Sequence, residues 1–207
     1  MVSEGLFVVF EGGDGVGKST QTTLLADWVA QQGREVVVTL EPGGTEVGSV
    51  LRDLVLNPKW GDVSPRAEAL MYAADKAQHV DEVVLPALRR GAVVISDRYV
   101  DSMLAYQGAG RDLDVDRVEQ IARWATQDLL PDLTVLLDLD PLFGVAGIAE
   151  KDRLESAGDS VHQRARQGFL ELAARDAQHY LVVPARDRQE QIAELVIARV
   201  ASLLSPA

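Results

Sequence analysis

Cysteine is missing altogether from the 207 residues. Its absence excludes disulfides, thiolate metal sites and cysteine nucleophiles, and fits a reducing compartment. Basic character is scarce as well. Twenty Lys and Arg stand against 32 Asp and Glu, for a formal net charge of −12, and no Lys/Arg cluster interrupts the acidic surplus. Duplex nucleic acid and anionic membranes are therefore poor partners. A small phosphate ligand is still allowed, because a few local cations and backbone N–H groups can hold it against an unfavourable overall field. No apolar run approaches the roughly 20 residues needed to span a bilayer. The first residues, Met1-Val2-Ser3-Glu4-Gly5, lack the basic and apolar regions of a secretory signal. Together these absences point to the cytoplasm.

What is present is an ordinary globular balance, 47% hydrophobic and 25% charged, which argues against disorder. The length suits one α/β domain spanning residues 1–207. Five short apolar runs stand out: Leu6–Phe10, Val36–Leu40, Ala92–Ile95, Leu133–Leu137 and Tyr180–Val183. They are continuous rather than alternating, as in strands buried on both faces. Helical periodicity appears between them, at Val47/Val50/Leu51/Leu54/Val55, at Val115/Val118/Ile121/Ala122/Ala125 and at Ile192/Leu195/Val196/Val200. Strands alternating with helices predict a three-layer fold: a five-stranded parallel sheet with helices on both faces. Two segments break the rhythm. Residues 45–90 look helical throughout and are too long for a simple crossover. Residues 141–160 carry Gly144, Gly147 and Gly158 and read as a mobile helix–loop insert, a short lid at about 144–160. Ligands of open α/β sheets bind at the carboxyl ends of the strands, so chemistry is expected just after each apolar run.

After the first run comes Gly12-Gly13-Asp14-Gly15-Val16-Gly17-Lys18-Ser19, a match to G-x-x-x-x-G-K-[ST]. Glycines let the backbone curl with successive N–H groups pointing inward, a nest for phosphate oxygens. Lys18 brings a cation to the β- and γ-phosphates, and Ser19 offers a hydroxyl to Mg²⁺. The next segment, Thr20–Gln32, is predicted helical, so its N-terminal dipole faces the same phosphates; Gly33 is its expected C-terminal stop. This pattern predicts nucleoside triphosphate binding without separating kinases from other P-loop proteins. An Asn-Lys-x-Asp element for guanine is absent. The third run ends in Ser96-Asp97-Arg98-Tyr99. There Asp97 can hold Mg²⁺ or its waters, or steer an acceptor, and Arg98 can clamp an acceptor phosphate with two hydrogen bonds.

Four signatures in order resemble the bacterial thymidylate kinase family, within the nucleoside monophosphate kinase group. They are Glu11–Thr20, Glu41-Pro42-Gly43-Gly44-Thr45, Asp97-Arg98-Tyr99 leading to Ser102 and Ala105-Tyr106-Gln107-Gly108, and Pro131-Asp132-Leu133-Thr134. A fifth, Asp152-Arg153-Leu154-Glu155, resembles the end of the family's lid. The resemblance implies ATP-dependent, Mg²⁺-assisted phosphoryl transfer to dTMP and a homodimer. It implies that Gly12, Gly13, Asp14, Gly15, Val16, Gly17, Lys18, Ser19 and Thr20 bind ATP. It also assigns acceptor roles. Asp14 contacts the sugar hydroxyl. Glu41, a metal-side or arginine-orienting acid, closes with Pro42 over the acceptor phosphate, which Arg52 faces. Tyr72 stacks on the base and Lys76 donates to its O4. Ser102, Tyr106 and Gln107 hold base and sugar, with the Tyr106 ring leaving little room for a 2′-hydroxyl. Arg153, assisted by Lys151, is the lid cation for the transferred phosphoryl group. His79 receives no role.

Three departures accompany the resemblance. Leu40 stands where family members commonly have Arg, Lys76 stands where Arg usually reads the base, and the segment Gly144–Lys151 is short and poor in arginine. A point charge lacks the planar fork of a guanidinium. The departures leave two alternatives open: a kinase for another pyrimidine deoxynucleoside monophosphate, or a nucleotide-binding protein with weak catalysis.

Overall fold

A computed structural model describes residues 5–111, 113–141 and 158–204. Each of the five apolar runs forms a strand: β1 Leu6–Gly12, β2 Val36–Leu40, β3 Val93–Asp97, β4 Leu133–Asp138 and β5 Tyr180–Pro184. All pair in parallel in the order β2-β3-β1-β4-β5. β1 is buried along its whole length. Its residues alternate between two cores, Phe7 and Val9 on one face and Leu6, Val8 and Phe10 on the other. That is the physical origin of an unbroken apolar run in a central strand. β2 and β5 differ. As edge strands they leave Val38 and Val182 about half exposed, although their sequences look as continuous as the central ones.

The helices, in chain order, are α1 Lys18–Gln31, α2 Glu46–Leu56, α3 Pro65–His79, α4 Leu85–Arg89, α5 Val100–Met103, α6 Val115–Ala125, α7 Asp159–Arg175 and α8 Gln189–Leu204. The core of Leu6, Val8 and Phe10 takes Leu25 and Val29 from α1 and Ile192, Val196 and Val200 from α8. The opposite core takes Ala69 and Tyr72 from α3 and Val118 and Ala122 from α6. Helices thus cover both faces, as expected. α1 begins two residues before its expected start and ends one residue before its expected end, with Gly33 at φ 73° just beyond its C-cap, Gln32.

Residues 45–90 are not helical throughout. Between α2 and α3 the chain passes through a single 3₁₀ turn, Pro58–Trp60, and non-helical residues 61–64. Pro58 and Pro65 cannot donate backbone hydrogen bonds to a continuous helix, and Gly61 sits at φ 67°. Ser64 then caps α3 by accepting from the Ala67 N–H at 3.4 Å. Of the expected lid, residues 144–157 lie outside the described residues; Gly158 precedes α7. Among the described residues no helix is long and apolar enough to cross a membrane.

Candidate active site

β1 ends between its two neighbours, with Phe10 in register with Asp97 of β3 and Gly12 with Leu137 of β4. The glycine loop leaves the sheet at this central point. Gly12, Gly15 and Gly17 adopt φ values of 132°, 72° and 95°, which residues with a Cβ rarely adopt. A Cβ on Gly12 would also lie 2.4 Å from the Leu137 carbonyl oxygen. The loop hands over directly to α1. Lys18 folds back over it, donating to the Gly13 carbonyl at 2.6 Å and the Gly12 carbonyl at 3.3 Å. Burial, helped by the Arg98 cation, lowers the Lys18 pKa to about 8. Ser19 Oγ donates to Asp97 Oδ2 at 3.2 Å. One hydroxyl and one carboxylate oxygen therefore stand beside the phosphate loop. They suit Mg²⁺, which takes most of its ligands from substrate phosphates and water. No group of three or more His, Cys, Asp or Glu that could hold a metal occurs among the described residues.

Asp14 and Arg98 face each other across the loop, Nη2 to Oδ1 at 2.5 Å. Burial pushes the Asp14 pKa up, but Arg98 and Lys18 outweigh it and hold the carboxyl below its ordinary value. Its second oxygen, Oδ2, is buried without a partner, so half of this carboxylate remains available to a ligand. Arg98 is strained, with φ 71°. Ser96 Oγ holds its carbonyl at 2.8 Å, the Phe10 carbonyl accepts from its N–H at 2.9 Å, and its Nη1 donates to Ser102 Oγ at 2.8 Å.

Behind this turn lies Glu11, fully buried at the end of β1. Its Oε1 accepts from the Tyr99 and Ser102 backbone N–H groups at 2.9 and 3.1 Å, and its Oε2 accepts from Ser102 Oγ at 2.6 Å. Burial raises the Glu11 pKa, against the pull of Arg98. Glu11 thus occupies the N-terminus of α5 and, through Ser102, fixes the Arg98 guanidinium.

α3 supplies a buried polar stripe, Glu68, Tyr72, Asp75, Lys76 and His79, at helical spacing on one face. Glu41 meets this stripe. Lys76 Nζ lies 2.5 Å from its Oε2 and His79 Nδ1 lies 2.7 Å from its Oε1. Because a carboxylate only accepts, His79 donates from Nδ1, and in the neutral ring Nε2 accepts from Thr39 Oγ1 at 2.6 Å. Burial opposes the Glu41 charge, yet Lys76 and His79 hold its pKa below the ordinary value. Glu41 therefore orients a lysine and a histidine rather than an arginine. Asp75 Oδ1 accepts from the Gly43 N–H at 2.9 Å, anchoring the turn after the cis Glu41–Pro42 bond. Arg52 Nη1 donates to the Pro42 carbonyl at 2.7 Å. A Cβ on Gly44 would stand 2.7 Å from both His79 and Thr39, so this close approach requires glycine.

Two adjoining cavities result. One is lined by the loop from Asp14 to Thr20, with Asp97 and, at its rim, Leu40. The other is lined by Pro42, Tyr72, Lys76, Ser102, Tyr106 and Gln107. Asp14, Glu41, Arg52 and Arg98 line both. Of the site residues expected from sequence, Arg153 and Lys151 lie outside the described residues; Gly12 and Gly13 line a separate small cavity with Asp138 and His162, and the others line these two cavities. The reading from sequence missed the supports: Glu11, Glu68, Asp75 and His79. The i+4 and i+8 spacing of Glu68 to Tyr72 and Lys76 was the available signal for one of them. Asp138 of β4, a strand-end acid, is held by Arg166 through two bonds of 2.7 and 2.9 Å.

Comparison with known proteins points to one family. Residues 10–196 match the family model described as thymidylate kinase. The chain is 58% identical over 201 residues to the thymidylate kinase of Cutibacterium acnes, covering 97% of this chain and 98% of that one. It is 52% identical over 205 residues to the thymidylate kinase of Clavibacter michiganensis subsp. michiganensis, covering 97% of each. Among solved structures, thymidylate kinase from Ehrlichia chaffeensis superimposes with a TM-score of 0.80 at 28% identity, over 96% of this chain and 99% of that one.

Proposed function

Because this chain belongs to the thymidylate kinase family, we propose that it transfers the γ-phosphoryl group of ATP to dTMP, giving dTDP and ADP. The observation that carries this reading is the sharing of Asp14, Glu41, Arg52 and Arg98 by two adjoining cavities. A phosphoryl donor on the glycine loop and an acceptor phosphate in the neighbouring cavity would meet at those four side chains. An acceptor phosphate oxygen then attacks the γ-phosphorus while the bond to the β,γ-bridging oxygen breaks, and that oxygen leaves on ADP. Positioning and charge neutralisation supply most of the catalysis in such a transfer.

Each residue has a part in this scheme. The glycine loop and Lys18 hold the β- and γ-phosphates, with α1 pointing its N-terminus at them. Ser19 and Asp97 would hold Mg²⁺, which neutralises phosphate charge when bound. Arg98 and Arg52 face the acceptor phosphate. The partnerless Oδ2 of Asp14 accepts from the sugar hydroxyl. Tyr72, Lys76 and Gln107 surround the base; Glu41 occupies one of the three Lys76 donors, leaving others for a base carbonyl. Tyr106 closes the sugar end against a 2′-hydroxyl, and Ser102 steadies Arg98. Arg153 of the lid, at about 144–160 within a single kinase domain, supplies the remaining cation.

We read the protein as cytoplasmic and homodimeric. Val47 and Val50 on α2, Leu70 on α3 and Trp124 on α6 are large apolar side chains left exposed, and a second copy is the partner we propose for them. The test of function is a coupled ADP-release assay with ATP, Mg²⁺ and a panel of monophosphates. The fastest turnover should be on dTMP. A different preferred monophosphate, or nucleotide binding without turnover, would overturn the reading.

A further inference from the structure

Glu68 lies on the buried stripe of α3, four residues before Tyr72, and is 2% exposed. Its Oε1 accepts from Gln107 Nε2 at 3.0 Å. Arg111 donates to the same carboxylate, Nε to Oε1 at 3.3 Å and Nη2 to Oε2 at 3.2 Å. Gln107 is 1% exposed yet lines the second cavity. The stretch that carries it, Leu104–Gly110, is tied to α7 by Arg164, which donates to the Ala109 and Gly110 carbonyls.

The chemistry of these partners restricts the amide to one orientation. Carboxylate oxygens accept hydrogen bonds, and both oxygens of Glu68 already take them from the donor-only Arg111 guanidinium. The amide must therefore turn its NH₂ toward Glu68. A flipped amide would set oxygen against oxygen in a buried place. The end left for a ligand is the carbonyl oxygen, Oε1. Gln107 is not among the residues shared with the glycine-loop cavity. With the acceptor phosphate at the shared end, Gln107 stands at the end that receives the base.

We infer that Glu68 is a positioning residue that sets base specificity: by locking Gln107 with its carbonyl toward the ligand, it selects pyrimidine monophosphates whose ring presents an N3–H. This rests on the proposed function and names the discrimination made by that same site. Thymine and uracil carry the imide N–H. Cytosine carries a lone pair at the same position and would set acceptor against acceptor. Sliding the ring to offer its exocyclic amine instead would bring that amine toward Lys76, a donor-only group in the same cavity.

The test is the ratio of kcat/KM for dTMP to that for dCMP, measured with ATP for the wild type and for Glu68→Gln, Glu68→Asp and Arg111→Met. In Glu68→Gln the new amide accepts either end of Gln107, and the ratio is expected to fall by about tenfold or more, since a site built around one hydrogen-bond pattern rejects its complement strongly. Glu68→Asp, still acceptor-only, should keep most of the selectivity. Arg111→Met should keep it too, even where it lowers Tm. An unchanged ratio in Glu68→Gln, or an equal fall in Arg111→Met, would overturn the inference. Should Glu68→Gln not fold, Glu68→Met carries the same test, since it leaves Gln107 in place with no acceptor to hold its NH₂: a fall in the ratio supports the lock, and an unchanged ratio overturns it. A wild type that ignores dTMP would instead sink the proposed function, so the two failures are distinguishable.

Discussion

In the half of the site that faces the triphosphate, the lining not shared with the other half is the unbroken segment Gly15–Thr20, with Leu40 added from β2 and Asp97 from β3. The half proposed for the acceptor draws on Asp14 of the loop after β1, the turn after β2, α2, α3 and the segment from Arg98 to Gln107. The first half is a local backbone shape, set by glycines at positive φ and a lysine folded back on its own loop. The second is an assembly held by buried charge: Glu41 between Lys76 and His79, Glu11 beneath Ser102, Glu68 behind Gln107. A local shape concentrates function in few side chains. A buried network spreads it over residues that need never touch a ligand.

Substitutions in the two halves should therefore behave differently. Lys18→Ala removes the cation of the local half and should cut kcat by at least about 10²-fold, with the circular dichroism spectrum and Tm close to wild type. Near-normal turnover would break the assignment of that half. Glu11→Gln alters the assembled half at a residue that lies behind the cavity wall. Hydrogen bonds to charged groups are worth about 1.5–3 kcal/mol, so a roughly tenfold rise in KM for dTMP is expected as Arg98 loosens. KM for ATP should change little. Equal changes in both KM values would show that the halves are not separable in this way.

Within a unit of pH 8 the smallest effect is one of pH. Burial lowers the Lys18 pKa to about 8 from the 10.5 of an ordinary lysine, so its charge is nearly complete a unit below pH 8, half lost at pH 8 and mostly gone a unit above it. ATP affinity should be flat up to a unit below pH 8 as far as this residue is concerned. Above pH 8, affinity should weaken by up to about tenfold per pH unit, as the linkage between proton and ligand requires. Stability of the unliganded protein should move the other way. Between pH 8 and 10.5 the unfolded chain holds the Lys18 proton more tightly than the folded one, so this residue makes stability rise with pH there. Isothermal titration of ATP and thermal melts between pH 7 and 10 check both signs. Affinity that strengthens with pH would place the Lys18 cation away from the phosphates.

Much of this architecture was legible along the chain. The five apolar runs became the five strands, since a strand buried on both faces needs no alternation, and the glycine loop appeared at the end of the first. The break at residues 57–64 was missed although Pro58, Gly61 and Pro65 mark it, because the apolar spacing on either side hid it. Val38 and Val182 look like core residues in sequence and are exposed, because a continuous run does not tell an edge strand from a central one. His79 could be given no role beforehand, since its partners Glu41 and Thr39 lie about 40 residues away in the chain.

The sequence by itself determined the alternating strands and helices, the phosphate loop with Lys18 and Ser19, and a set of polar residues near strand ends. These follow from local rules: periodicity, backbone freedom at glycine, and the direction of a helix dipole. Only the tertiary structure decided which buried charge meets which. It gave Lys76 to Glu41, left one oxygen of Asp14 without a partner, and turned the Gln107 amide by means of Glu68. Such pairings depend on distances between segments far apart in the chain. They are selected when the fold closes, because a buried charge without a partner costs more than the core around it can recover.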